Sequence, residues 1–568
     1  MITEQELVGL LQRADWTKLS LTATVSRRFN RALRDEQLRS MPSPPWMPPW
    51  ARAMMDPDDI PMRLGDQVTG SLIVVPGCRF WEELTDENGD TATSGCDGDR
   101  VWVVNPRLAR TEAVAADRHG ESGWRVYAGG PARPPSDRLL SPSWVLRGSG
   151  LRIEAAVIAA GREAWRVVAV PRARQSGPLG PQRYDLIVDA ELGILLRCET
   201  FVRGLPLSLE ELDAVRVKVP EVADESLFAA PPDALKDVRD LAGEVMPRGL
   251  ATATGLAADT LGFAIRHGPG ARRPAVDGGE PMPQDADDIS HEDWPPVSDQ
   301  TAYLLYRASA AERDIAAELH EWVSVEGFAE GLRRGGRKLG QGGVGRLADA
   351  ISDKAVPGTT HHVAQFILTA DEVRYRLDWV AGAPRRKPVT ESCDGQTSWR
   401  VYSDRTLTGR ARPAPSRVVN LVQPSWLLEW RLSDGGEEIV DGRRGYRLRA
   451  TRITGVTLRS PALIYDEAVA VVDAELGVIT RLTFYAAARP TERRELRDVR
   501  VPASMNPEDF RVRTPPGVRV EQEAGPFDEA PDPVRQVVRT AEQIGRVVGP
   551  VVSRTAGFLG SLRSHGQQ

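Results

Sequence analysis

Apolar and polar residues alternate along much of this chain. Leu19-Ser20-Leu21-Thr22-Ala23-Thr24-Val25 alternates, as do Leu448-Arg449-Ala450-Thr451-Arg452-Ile453 and Arg481-Leu482-Thr483-Phe484-Tyr485. A period of two predicts antiparallel strands with one face on a core and one in water. Helical spacing is rarer. Glu4 to Asp15 reads as a short amphipathic helix. Residues 238–265 and 534–562 carry apolar stripes, the second the cleaner, with Val534, Val537, Val538, Ala541, Ile544 and Val548 at three-four spacing. Pro247 and Pro550 should kink these helices. Pro42 to Trp50 holds five prolines and reads as a rigid loop. Residues 301–354 read as helices broken by Gly335-Gly336 and by Gly340 to Gly345. The Gly-, Pro- and Asp-rich stretch before them reads as a disordered linker.

The chain repeats itself. Val188-Asp189-Ala190-Glu191-Leu192-Gly193 recurs as Val472-Asp473-Ala474-Glu475-Leu476-Gly477, and Pro142-Ser143-Trp144 as Pro424-Ser425-Trp426. Gly161-Arg162 recurs as Gly442-Arg443, with Trp165 matched by Tyr446. Cys96-Asp97-Gly98 and Trp102 recur as Cys393-Asp394-Gly395 and Trp399. Val215-Arg216-Val217 recurs as Val499-Arg500-Val501. The blocks keep their order, so the chain is a tandem duplication of a domain of ordinary size. One register is open: Trp124-Arg125-Val126-Tyr127 also matches Trp399-Arg400-Val401-Tyr402. The first copy therefore carries an insertion between Cys96 and Trp144. The repeated Asp-Ala-Glu-Leu-Gly reads as a hairpin turn, acidic at its start and closed by a glycine free to take positive φ.

These blocks resemble the lipoprotein-carrier superfamily, which includes periplasmic lipoprotein chaperones, the sensor of the envelope sigma-factor pathway and mycobacterial lipid-binding lipoproteins. The resemblance covers about residues 96–232 and 393–516. It implies an α+β fold: two tandem curved antiparallel half-barrel sheets, each with helices over its concave face. The expected divisions are 1–235, first half-barrel; 236–267, helical segment; 268–300, linker; 301–354, helical connector; 355–518, second half-barrel; and 519–568, an amphipathic helical tail. An unclosed barrel leaves an apolar inner face that must be covered by its own helices, a ligand or a partner. In the family that hollow holds acyl chains or a lipidated partner. The chain departs from the family in carrying two copies, and its acidic start is expected to be neither an export signal nor a lipidation site.

Composition narrows the chemistry. The 568 residues carry a net charge of -6 and are 41% hydrophobic and 27% charged. That excludes wholesale disorder and a strongly basic nucleic-acid binder. Positive charge is nearly all Arg, the bias of a GC-rich genome. Four cysteines, Cys78, Cys96, Cys198 and Cys393, are too scattered for a disulfide scaffold. With an acidic start and no long apolar window, a cytoplasmic location is expected. Arg535, Arg539, Arg546, Arg554 and Arg563 beside the C-terminal stripe leave two readings, a lid on the second domain or a helix lying on an anionic membrane surface.

Gly340-Gln341-Gly342-Gly343-Val344-Gly345 fits a dinucleotide pattern but follows no buried strand, so a flexible connector is the better reading. His361-His362 lacks a second ligand pair at metal spacing. Asp189 with Glu191, and Asp473 with Glu475, sit on turns without an apolar pocket to raise one carboxyl. No enzyme, cofactor or metal is expected. Candidate ligand-lining residues are the recurring aromatics Trp102, Trp144, Trp165, Trp399, Trp426 and Tyr446, whose plain alternative is core packing. The expected function is non-enzymatic binding of a lipid-like ligand, or of a lipid-modified or helical partner, in the concave faces. The alternative is a ligand-free regulatory or scaffold protein whose hollows are filled by its own helices.

Overall fold

The computed structural model describes residues 2–40, 66–98, 100–105, 108–113, 136–171, 181–217, 225–229, 282–283, 294–310, 313–324, 359–370, 374–381, 388–402, 405–411, 414–451, 467–486, 489–512, 514 and 517–522. Its strands form two sheets. The first holds β1 (Leu21–Phe29), β2 (Gln67–Val75), β3 (Arg79–Asp86), β4 (Thr91–Asp97), β5 (Arg100–Asn105), β6 (Leu108–Ala113), β7 (Ser149–Ala159), β8 (Arg162–Pro171), β9 (Arg183–Asp189), β10 (Leu195–Val202) and β11 (Leu205–Val217). The second holds β12 (Ile315–Ser324), β13 (Thr359–Leu368), β14 (Arg374–Ala381), β15 (Thr390–Asp394), β16 (Thr397–Val401), β17 (Arg405–Arg410), β18 (Arg431–Val440), β19 (Arg443–Thr451), β20 (Glu467–Asp473), β21 (Ile479–Ala486), β22 (Arg489–Arg500) and β23 (Arg519–Gln522). The helices are α1 (Glu4–Arg13), α2 (Arg31–Ser40), α3 (Asp137–Leu140), α4 (Asp299–Ala310) and α5 (Ser416–Val422).

The strand orders are β6-β5-β4-β3-β2-β1-β11-β10-β9-β8-β7 and β18-β19-β20-β21-β22-β12-β13-β14-β15-β16-β17-β23. Read backwards and setting aside β23 at its edge, the second repeats the first strand for strand, with β12 to β22 standing for β1 to β11. Neither sheet closes. Six strands run out to one edge. The chain then crosses the concave face through α3 or α5 and a 3-10 turn, Pro142–Leu146 or Pro424–Glu429, and returns from the far edge. Even the bulges recur: the ladders β1–β11 and β12–β22 slip at Thr22/Thr24 and Ala316/Glu318, opposite Ala214 and Asp498, with φ of 49° and 50°.

This correspondence closes the open register. Cys96 and Trp102 stand on β4 and β5, Cys393 and Trp399 on β15 and β16, so the Cys-Asp-Gly pairing is the correct one. The insertion falls between β6 and α3. Trp124-Arg125-Val126-Tyr127 lies outside the described residues, as do Pro42 to Trp50, 236–267, the Gly340–Gly345 run and 534–562.

Three segment boundaries need correction. Residues 315–324, expected inside a helical connector, form β12 in the interior of the second sheet. Their Ala and Glu residues suit a helix, but Ile315, Ala317 and Leu319 alternate onto the concave core, and tertiary pairing overrides propensity. The second half-barrel therefore begins with α4, not at residue 355. Residues 294–300, expected as linker, are placed: Val297 is core and Asp299 opens α4. Residues 519–522, expected as helical tail, are β23, parallel to β17.

The repeated turn has two structural tasks. Asp189 Oδ1 accepts from the Glu191 and Leu192 amides at 2.9 and 2.8 Å, and Asp473 Oδ1 from Glu475 and Leu476 at 2.9 and 2.7 Å. Each buried aspartate also pairs with the arginine of the recurring Gly-Arg, Arg162 or Arg443. Gly193 and Gly477 then take φ of 70° and 72°. A Cβ on Gly193 would stand 2.4 Å from the Leu10 carbonyl oxygen of α1. One on Gly477 would stand 2.6 Å from Ala308 Cβ and 3.0 Å from the Leu304 carbonyl of α4. The turn thus clamps its own helix onto the sheet. Gly193→Ala or Gly477→Ala should destabilise the fold by about 2–4 kcal/mol, from left-handed strain plus overpacking. Gly161→Ala, with φ of 75° but open space around it, should cost only about 1–2 kcal/mol. Urea unfolding of the three variants measures the difference.

Candidate functional site

The hollow of each half-barrel is the candidate site, and its own helices occupy it. In the first, Leu7, Val8 and Leu11 of α1, Leu139 and Leu140 of α3, and Val145 and Leu146 of the 3-10 turn are fully buried against the concave face. In the second, Ala302 and Leu305 of α4, Leu421 of α5, and Leu427 and Leu428 play the same part. The N-terminus of α1 is set by a capping box between Thr3 and Glu6.

The two hollows face one another through these helices. Asp299 of α4 stands so close over α1 that a Cβ on Gly9 would strike it, and it pairs with Arg13. Tyr303 Oη donates to Glu4 at 2.9 Å, and Tyr306 Oη accepts from the Leu151 amide at 2.8 Å. Arg147 and Glu429 hold equivalent positions, three residues beyond Trp144 and Trp426, and meet each other at 3.3 Å. Equivalent elements meeting across an approximate two-fold is the geometry of a C2 dimer, here within one chain. Both cores form one continuous apolar cluster.

A buried ion pair anchors the first crossover. Glu82, on the floor of the hollow, accepts from Arg27 Nη2 at 2.7 Å, from Ser136 Oγ at 2.7 Å and from the Ser136 amide at 3.1 Å. Ser136 immediately precedes α3. Burial pushes the Glu82 carboxyl above its ordinary value, although Arg27 pulls it down. The second copy has Leu377 at this position, as the match of Phe80–Cys96 with Tyr375–Cys393 fixes. Its α5 is held instead by Arg417 on Glu391 at 3.1 Å.

The six candidate aromatics divide into three pairs. Trp144 Nε1 donates to the Arg138 carbonyl at 3.0 Å and Trp426 Nε1 to the Asn420 carbonyl at 2.8 Å, so each closes off its crossover helix. Trp426 also stacks on Phe484. Trp165 and Tyr446 are half-buried at the rim. Trp102 and Trp399 are corrections: they do not line the hollow. Cys96 and Cys393 face the core, whereas Trp102 pairs with Gly95 and Trp399 with Ser392, one residue away and so on the opposite face. Trp102 Nε1 donates there to the Phe228 carbonyl at 3.0 Å.

Two openings adjoin the hollows. A pit of about 10 Å³ ends the second hollow beside Ile315, Leu368 and Val478. A cleft of about 330 Å³ lies at the rim, where Gln5, Gln300, Tyr303, Arg307, Arg313, Tyr446 and Glu475 form most of its wall.

Burial pushes the Cys198 thiol up to about 12, so it is no nucleophile. Burial also pushes the Asp473 carboxyl upward, but Arg443 and the Leu476 and Glu475 amides outweigh it and hold the group below its ordinary value. Sequence reasoning missed that His320 and His361 meet across β12 and β13, Nδ1 to Nε2 at 3.2 Å, with Glu318 on the other nitrogen of His320. Among the described residues no three His, Cys, Asp or Glu side chains could hold a metal ion, no helix is long and apolar enough to cross a membrane, and no disulfide joins the four cysteines.

Neither a protein-family model nor a curated protein matches the sequence. Solved structures do. The MucA/MucB complex of Pseudomonas aeruginosa matches at 14% identity over 40% of this chain and 60% of that one, TM-score 0.24. The lipoprotein LppX of Mycobacterium tuberculosis matches at 9% identity over 36% and 96%, TM-score 0.23. A LolA-superfamily protein of Nitrosomonas europaea matches at 9% over 37% and 97%, TM-score 0.19. The chain thus spans 60–62% of the length of the MucB structures it matches. The half-barrel assignment itself rests on the strand order.

The raised Glu82 carboxyl fixes a sign for pH dependence. The folded state holds this proton more tightly than the unfolded chain, so the contribution to stability is complete below the ordinary Glu value and is lost as pH rises through the folded value. As pH rises from the ordinary Glu range through the raised folded value, the wild type should lose stability relative to Glu82→Gln. Parallel urea titrations across that range measure it, and a difference independent of pH would contradict the assignment.

Proposed function

We propose that this chain is a non-enzymatic binding and scaffold protein, built from two half-barrels locked mouth to mouth by their own helices and engaging a polypeptide partner from outside. The observation that carries this reading is the complete burial of Leu7, Val8, Leu11, Leu139, Leu140, Val145 and Leu146 inside the first hollow. Exposing these seven side chains costs roughly 10–20 kcal/mol. A ligand bound with micromolar Kd returns about 8 kcal/mol. A lipid-like ligand therefore has to repack the helices upon itself, not merely displace them. The capping roles of Trp144 and Trp426, which tie those helices down, support the same conclusion.

The non-enzymatic part is supported by what the titratable groups do. Asp189 and Asp473 are spent on turns, Glu82 on a helix start, and Cys198 is held as a neutral thiol. The rim cleft, walled mostly by polar and charged residues, leaves room for a small polar contact.

Native mass spectrometry of the full chain, gently extracted from its own host, tests the reading. The expected result is the bare mass, with no saturable binding of a fluorescent fatty acid. A stoichiometric lipid adduct, or saturable uptake of the probe, would show that the hollows open and would overturn it.

A further inference from the structure

We propose that the rim cleft of the second half-barrel binds a small soluble organic oxyanion, a compact molecule carrying a phosphate or carboxylate group. This site goes beyond polypeptide binding and does not rest on it. What carries it is a break in the approximate two-fold symmetry, which leaves two guanidinium groups facing an open cleft.

The correspondence between the copies is fixed at two points. The turn glycines Gly193 and Gly477 meet Leu10 and Leu304, and β1 and β12 begin at Leu21 and Ile315. The two matches share one spacing, so Arg13 corresponds to Arg307, Gln5 to Asp299 and Leu19 to Arg313. Across the two-fold, Arg13 pairs with Asp299. The symmetric contact would join Arg307 to position 5, where a glutamine stands in place of the carboxylate. Gln5 and Arg307 instead line one cleft of about 330 Å³. One end of the α1–α4 pair is thus closed by an ion pair, and the other is open. Arg313 brings a second cation to that opening, where the first copy has Leu19 packed on the core.

Neither guanidinium has a carboxylate partner. Among the described residues Arg313 makes no ion pair or hydrogen bond, and Arg307 reaches only Tyr303, Nη1 to Oη at 3.4 Å. The nearby carboxylates are engaged or turned to solvent. Glu4 accepts from Tyr303 Oη at 2.9 Å, and Glu475 is 85% exposed and 3.8 Å from Arg443. Guanidinium groups bind phosphate and carboxylate oxygens through paired hydrogen bonds. Gln300 and Tyr446 add donors to the wall, while Leu304, Ala308 and Leu476 give it an apolar side that suits the body of an organic ligand. Arg313 and Leu476 also border the pit of about 10 Å³. A space of that size holds about one water and no acyl chain, which favours a soluble ligand over a lipid.

Fluorine NMR titration of the full chain at low salt tests the site, with para-fluorophenyl phosphate and para-fluorobenzoate as probes. The expected result is saturable binding of at least one probe with Kd of roughly 0.1–1 mM, weakening as salt is added. Ligand held so loosely leaves on buffer exchange, so the bare mass expected above stands. Arg313→Gln alters an exposed, unpaired side chain, so it should fold normally and weaken binding roughly tenfold. Gln5→Asp, which supplies Arg307 with the missing carboxylate, should weaken binding to a similar degree without loss of stability. Absence of saturation by both probes, or equal affinity in the wild type and both variants, would overturn the proposal. Equal affinity for inorganic phosphate would overturn the organic body. Arg313-dependent flotation on phosphatidic acid vesicles, without saturable probe binding, would place the oxyanion on a lipid headgroup and overturn the soluble ligand.

Discussion

A curved sheet that stops short of closure has an apolar inner face with nothing opposite it. Everything else in this molecule answers that constraint. Each copy lays a helix before its first strand and a second helix on the crossover between its edges. Those helices present Leu7, Leu11, Leu139 and Leu146 in one copy and Leu305, Leu421, Leu427 and Leu428 in the other. A layer of short helices on a sheet still has a backside. Here the backsides cover one another, α1 against α4 and one Pro-Ser-Trp turn against the other, so duplication completes the burial that one copy begins.

The motifs repeated most faithfully hold this layer in place. The Asp-Ala-Glu-Leu-Gly turn seats the first helix through a glycine that no larger residue can replace, and its aspartate binds the arginine of the neighbouring hairpin. The Pro-Ser-Trp tryptophan satisfies a carbonyl of the crossover helix. The copies diverge where nothing forces agreement. Glu82 faces the start of α3 in one, where the other has Leu377.

Much of the fold was legible because period-two alternation and verbatim repeats are local signals. The duplication, the hairpin turn and the opening helix could be read directly from residues. What failed was long-range. Ile315 to Ser324 has the composition of a helix, and its alternation matters only once β13 and β22 flank it. The recurrence of Trp102 and Trp399 marked them as important but not on which face they stand. Counting strand parity from the Asp-Gly turn after Cys96 and Cys393 would have placed them opposite the core. That the hollows are filled was a stated alternative. Sequence could not choose it, because Gly193 meets Leu10, and Tyr306 meets Leu151, across separations that no local pattern spans.

The central claim is that α1 and α4 are part of the folded core and not lids over a cargo chamber. Hydrogen exchange resolved to 4–13 and 299–310 tests it most directly. Amides from Leu7 to Leu11 and from Ala302 to Tyr306 are expected to exchange as slowly as those of β9 and β20, through global unfolding alone. Rapid exchange in both helices while the strands stay protected would mean that the hollows open in the native state, and the account would be wrong.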